Sequence, residues 1–170
     1  MNKISPENFC KSRTGAAMIE FAIILPLLLL LFFGITELGR ALYQQNALTQ
    51  AVELGGRYMA RVENAVNTAD CTANTTDNRW SDAVTRAKNL ITCGVDSGCN
   101  AGDSVLPNIT FDADAFAVSS PTSPPACIIT VKVKADFVSI FGDDLIPVPG
   151  FSVEGVTLNA ETQERYIGHY

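Results

Sequence analysis

Five cysteines have the widest chemistry open to them in this 170-residue chain: Cys10, Cys71, Cys93, Cys99 and Cys127. A thiolate can bind a metal, act as a nucleophile or pair as a disulfide. Zinc asks for close pairs such as C-x2-C together with histidine or more cysteine, but no C-x2-C occurs and the only histidine is His169. One histidine also removes most serine-triad arrangements, and no G-x-S-x-G, H-E-x-x-H or phosphate-binding loop is present. Asp143 and Asp144 are adjacent, so their side chains point apart on an extended chain. Asp96, Asp103, Asp112 and Asp114 fall in a stretch without Lys or Arg, yet lack the alternating spacing and closing Glu of a calcium loop. These residues predict neither an enzyme nor a metal or other cofactor. Disulfide formation is the thiol chemistry that remains. Setting Cys10 aside leaves an even four, for which three pairings exist; Cys71–Cys93 with Cys99–Cys127 is preferred, because each would tie a loop to the element beside it.

The other residue in an unusual setting is Glu20. It is the single charge in the run Thr14–Ile35, TGAAMIEFAIILPLLLLLFFGI. Residues 21–36 are wholly uncharged, and including Ala16–Glu20 extends the block to 21 residues. About 20 helical residues cross a bilayer core, so the block reads as one membrane span with a carboxylate near one face. Two other readings fit less well. A cleaved secretory signal would be followed by a small-x-small site, whereas Gly34-Ile35-Thr36-Glu37-Leu38-Gly39-Arg40 follows here. A helix of a soluble protein is the other reading, but a chain this small has no core large enough to bury a helix on every side, and Leu27–Phe33 has no polar face to turn to water. Lys3, Lys11 and Arg13 outnumber Glu7 before the span, while Glu37 balances Arg40 after it, which places the N-terminus in the cytoplasm. From Glu37 onward the chain holds 9 Lys+Arg and 16 Asp+Glu, a net charge of 9 − 16 = −7, so the acidity behind the overall −6 belongs to the exported part. That acidity excludes a nucleic-acid binder, which needs a basic surface.

The pattern Arg13-Thr14-Gly15-Ala16-Ala17-Met18-Ile19-Glu20-Phe21 consists of a basic leader, a glycine, a small residue, and a glutamate five places after the glycine. It resembles the prepilin peptidase site of type IV pilins and pseudopilins. The longer stretch through Pro26, Gly34, Glu37, Gly39-Arg40 and Gly56-Arg57-Tyr58 resembles the TadE-like family, minor pseudopilins of the tight-adherence (Flp) pilus system. The resemblance implies several expectations. A leader of residues 1–15 would be cut after Gly15 by prepilin peptidase in the bacterial inner membrane. Ala16 would become the new terminus, and Glu20 with Phe21 would guide assembly with other pilin subunits and the pilus machinery. The C-terminal domain would be periplasmic. The chemistry is consistent with this, because the freed α-amine of Ala16 is a cation one helical turn from Glu20, and a paired ion costs far less in lipid than a lone one. The same cut would remove Cys10 and leave only the four paired cysteines. Pro26, mid-span, takes an N–H away from the carbonyl of Ala22 and is expected to kink the helix. The rival expectation is an unprocessed, single-pass anchored protein that displays a binding or adhesion domain.

Beyond the span, Leu38, Ala41, Gln45, Leu48, Val52, Gly55, Met59, Val62 and Val66 recur in steps of three and four. This predicts an amphipathic stalk helix over residues 37–66, which Gly55-Gly56 could interrupt. Residues 67–170 are then an α+β domain. A polar loop over Asn67–Asn78 leads to a helix with Trp80, Ala83, Val84, Ala87, Leu90 and Ile91 on one face, ended by Gly94. Weak strands follow at Val105–Pro107 and Asn108–Phe111. Clear alternation marks Cys127–Phe137 and again Phe151–Thr162, with Pro149-Gly150 as a turn. The expected architecture is pilin-like, a long N-terminal helix laid against a small antiparallel sheet.

Overall fold

The computed structural model describes residues 13–100, 102–106, 108–121, 126–140 and 155–168. The chain divides into two units, Met1–Leu38 and Gly39–Tyr170, and helix α1 (Arg13–Arg61) contributes to both. Leu, Ala, Met, Gln and Glu fill most of α1, residues that lose little side-chain freedom in a helix. The helix runs through Pro26. It stops at Arg61, short of the expected Val66, because Asn64 takes a left-handed backbone (φ 53) that a helix cannot continue. Val62 and Val66 keep the helical stride only by coincidence, and Val66 is buried in a strand.

The stripe seen in the sequence faces the core from Ala41 to Met59. Leu48, Val52 and Met59 are fully buried and Ala41 is half-buried, whereas Leu38 is exposed. After α1, strands β1 (Val66–Asn67) and β2 (Thr72–Ala73) form a small hairpin inside the region expected to be loop. Helix α2 (Arg79–Cys93) buries Ala83, Ala87 and Ile91. It ends at Gly94, whose φ of 72 allows its amide to donate to the Leu90 carbonyl at 2.9 Å.

The main sheet is antiparallel throughout. Its centre is β5 (Ile128–Asp136), paired along its length with β6 (Thr157–Arg165) in a register that sets Val133 opposite Ala160. The other edge of β5 carries β3 (Ile109–Thr110) near Ala135 and β4 (Phe116–Ser119) near Val131. Ile129, Val131, Val133 and Ala135 point inward, with Leu158 and Ala160 of β6, onto one core shared with α1 and α2. The expected strand over Phe151–Thr162 starts at Thr157, and Phe151 and the Pro149-Gly150 turn lie outside the described residues. Val105 and Leu106 form no strand; β4 was not anticipated.

Gly55 and Gly56 do not interrupt α1. Both are buried, Gly55 against Ile91 of α2 and Gly56 against Thr162 of β6. A Cβ on Gly55 would lie 2.6 Å from Cγ1 and Cδ1 of Ile91, and one on Gly56 would lie 2.6 Å from Cγ2 of Thr162. Gly55→Ala would gain up to about 1 kcal/mol of helix propensity. Ile91 is fully buried and has nowhere to swing, so overpacking of about 1–3 kcal/mol is expected to win. A urea midpoint below wild type is the expected result, with a smaller drop when Gly55→Ala is made in an Ile91→Ala background than in the wild-type chain; a more stable Gly55→Ala protein would show that the glycine is not a packing requirement.

Candidate functional site

The residues singled out in the sequence for processing and assembly all lie on the first half of α1. Every residue from Gly15 to Thr36 is exposed, including Ala16, Glu20, Phe21 and Pro26. The exposure of large apolar groups is high: Met18 67%, Ile23 73%, Leu27 68% and Phe32 63%. Water does not favour such a surface, and a monomer rarely shows one of this extent. Twenty-two helical residues rise about 33 Å, close to the thickness of a bilayer's hydrocarbon core. Among the described residues, α1 is the one helix long and apolar enough to cross a membrane.

Two polar details suit that medium. The Thr36 hydroxyl donates to the Phe32 carbonyl at 2.9 Å, so it is satisfied inside its own helix. Glu20 is the single charge on the exposed stretch, and as the fourth residue after Ala16 it shares a helical face with it, about 6 Å further along the axis. Gly34 and Gly39 have open space where a Cβ would sit, unlike Gly55 and Gly56. Packing within this chain therefore does not require them to be glycine. Glu37, a flanking charge of the span and one of the residues that carry the family resemblance, is buried at 4% exposure, a burial that its place in the sequence does not indicate.

In the Gly39–Tyr170 unit the four cysteines form two disulfides, but not in the preferred pairing. Cys71 joins Cys127 and Cys93 joins Cys99. Cys71 lies in the β1–β2 turn, and the start of β5 is carried beside that turn, with Cα atoms 5.1 Å apart. Cys93 ends α2 and the short loop after it returns Cys99 to the helix end. Grouping each cysteine with its neighbour along the chain missed the long-range contact made by β5.

Two surface features of the same unit stand apart from the disulfides. A cleft of about 690 Å³ is lined by Leu54, Arg57, Tyr58, Arg61, Val62 and Leu90; Arg57 is held by Glu53 at 2.9 Å and by Glu164 at 3.8 Å. On the outer side of β5, Lys134 meets Asp112 at 2.7 Å. That hydrogen bond, reinforced by the charge of Asp112, raises the Lys134 ammonium above its ordinary range.

Residues 15–57 match the TadE family model, described as TadE-like protein. The match lies wholly within α1 and includes every residue on which the resemblance rests except Tyr58. No curated protein and no solved structure matches the chain significantly. The family signature is therefore carried by the helix, while the disulfide-linked sheet lies beyond it.

Proposed function

We propose that this chain is a TadE-like minor pseudopilin. It is inserted with its N-terminus in the cytoplasm, cut after Gly15 by prepilin peptidase, and assembled through α1 with other components of a tight-adherence pilus. The observation that carries this reading is the coincidence of three things on residues 15–57: the family match, an uncovered apolar helix of membrane-spanning length, and one carboxylate five places after Gly15. The sheet domain faces the periplasm, an oxidising compartment in which its two disulfides persist. Gly15 serves recognition by the peptidase. Glu20 accepts the charge of the new Ala16 amine, in its own chain or in a neighbouring subunit, so that neither ion stands alone in lipid.

Intact mass of the membrane-extracted protein tests the processing step. In cells that contain the peptidase, the expected species begins at Ala16 and keeps 155 of the 170 residues; Gly15→Val should shift the mass to a chain that retains the leader. A wild-type chain still starting at Met1 would sink the cut and favour an unprocessed anchored protein that displays a binding domain. Glu20→Ala should be cleaved normally yet fail to support pilus formation. Normal pili in that variant would remove Glu20 from assembly.

A further inference from the structure

On both elements that meet at Arg40, the outward-facing positions change character. In the second half of β5, beyond the half-buried Ile128 and Thr130, these positions are Lys132, Lys134 and Asp136, all charged; past the strand's end, with the inward-outward alternation unbroken, they become Val138 and Ile140, at 36% and 57% exposure. Along α1, the exposed positions beyond residue 45 are polar at Asn46, Gln50, Arg57 and Arg61, with Leu54 the one apolar exception, but nearer Gly39 they are apolar, where Leu42 is 57% and Tyr43 75% exposed. The two apolar ends are held at one level, because Arg40 Nη2 donates to the Val138 carbonyl at 3.0 Å. A surface meeting only water gives no reason for both elements to lose their polar residues at the same place.

We propose that this end of the sheet domain, formed by Leu42, Tyr43, Val138 and Ile140 around Arg40, lies in the headgroup layer of the membrane and docks the domain on the lipid surface. The inference rests on the reading of α1 as a membrane span. Arg40 follows Glu20 by twenty residues, the number that an α-helix needs to cross about 30 Å of hydrocarbon. With Glu20 at one boundary, Arg40 reaches the other. Tyrosine and arginine are residue types that settle at that boundary, one with an amphipathic ring and the other with a long stem below a charged head. Covalent continuity with the span commits the surface to lipid rather than to a second copy of the chain.

Depth-dependent quenching tests the docking. The full chain, carrying Trp80→Phe to remove its only tryptophan, is reconstituted in phosphatidylcholine–phosphatidylglycerol vesicles with lipids brominated either near the glycerol or near the bilayer centre. Ile140→Trp should lose most of its emission to the shallow bromines and little to the deep ones. Leu28→Trp, within the span, should be quenched by the deep bromines. Val105→Trp should be quenched by neither, since its amide bonds the Thr92 carbonyl at the end of α2, near the Gly55 level and about 22 Å further along α1 than Arg40. If Ile140→Trp does not fold, Tyr43→Trp takes its place with the same expectation. An unquenched Ile140→Trp beside a deeply quenched Leu28→Trp overturns the docking while the span stands. An unquenched Leu28→Trp overturns the span itself. Protection of Ile140→Trp that rises with protein-to-lipid ratio, without bromine quenching, assigns the surface to a second copy and overturns the lipid.

Discussion

Replacing Cys71 and Cys127 together by alanine is expected to destabilise the sheet domain by about 4 kcal/mol, and replacing Cys93 and Cys99 by about 2 kcal/mol. The difference comes from chain entropy. The first bridge closes a sequence separation of 56 and the second a separation of only 6, so the first removes far more freedom from the unfolded chain. The native state adds to the contrast. Cys71 and Cys127 are buried at 5% exposure within the core, while Cys93 and Cys99 are half-exposed. Cys71 also holds a left-handed backbone (φ 52), a cost that the cross-link helps to offset. A loss of about 4 kcal/mol is a large share of the roughly 5–15 kcal/mol that stabilises a typical domain. Urea unfolding of the full chain in mild detergent, followed by Trp80 fluorescence, should place the Cys71/Cys127 variant about 2 M below wild type. Trp80 is a local reporter, since its amide donates to the Asn74 carbonyl just beyond the β1–β2 hairpin. Equal shifts for the two double variants would show that loop length does not govern their contributions. The ordering also bears on compartment: a domain leaning this far on one long-range disulfide is suited to an oxidising space.

What was legible in the sequence divides by the range of the interaction that decides it. The apolar run before Glu37, the Lys132/Lys134 alternation and the Gly94 stop are local patterns, and α1, β5 and the end of α2 follow them. Gly55-Gly56 was ambiguous because the local cost of glycine in a helix argues for a break, while the reason for it, Ile91 on one side and Thr162 on the other, is tertiary. The end of α1 was misplaced for the opposite reason. Apolar residues kept their spacing through Val62 and Val66, but Asn64, a residue that tolerates the left-handed backbone, was the stop signal available in the sequence. β4 is a four-residue strand and the β1–β2 pair has two residues on each side, too short for a period to register. The disulfide partners depend on where β5 passes, which no spacing encodes. Of the candidate site, the exposed helix with Gly15 and Glu20 could be read directly; the burial of Glu37 and the apolar ends at Val138 and Leu42 needed the fold.

Tyr166→Ala is expected to cost about 3–5 kcal/mol, as expected for a large buried aromatic, and Tyr166→Phe about 1–3 kcal/mol for hydrogen bonds left unmade. Tyr166 is 4% exposed and closes the far end of α1. Its hydroxyl accepts the Ala65 amide at 3.0 Å and has one proton to give, either to the Val62 carbonyl at 2.7 Å or to the Gly168 carbonyl at 2.9 Å. Around it the backbone completes the seal, with Ile167 N–H on the Ala60 carbonyl, Asn64 N–H on the Gly168 carbonyl and Tyr166 N–H on the Cys127 carbonyl. The Ile167 bond satisfies a carbonyl that the helix end leaves open, and with the other two it fastens the end of α1 and the start of β5 to the segment that follows β6. Gly168 belongs to the same closure, because a Cβ there would run into the Val62 carbonyl. The Phe variant removes only the oxygen, leaving the Ala65 amide without its acceptor in a buried place. Its unfolding midpoint should therefore fall between those of wild type and Tyr166→Ala. Hydrogen exchange gives the location: the Ala65 amide should lose protection in Tyr166→Phe while amides in the centre of β5 keep theirs. Unchanged stability in the Phe variant would mean that the ring alone seals the helix end, and unchanged stability in the Ala variant would remove Tyr166 from the closure.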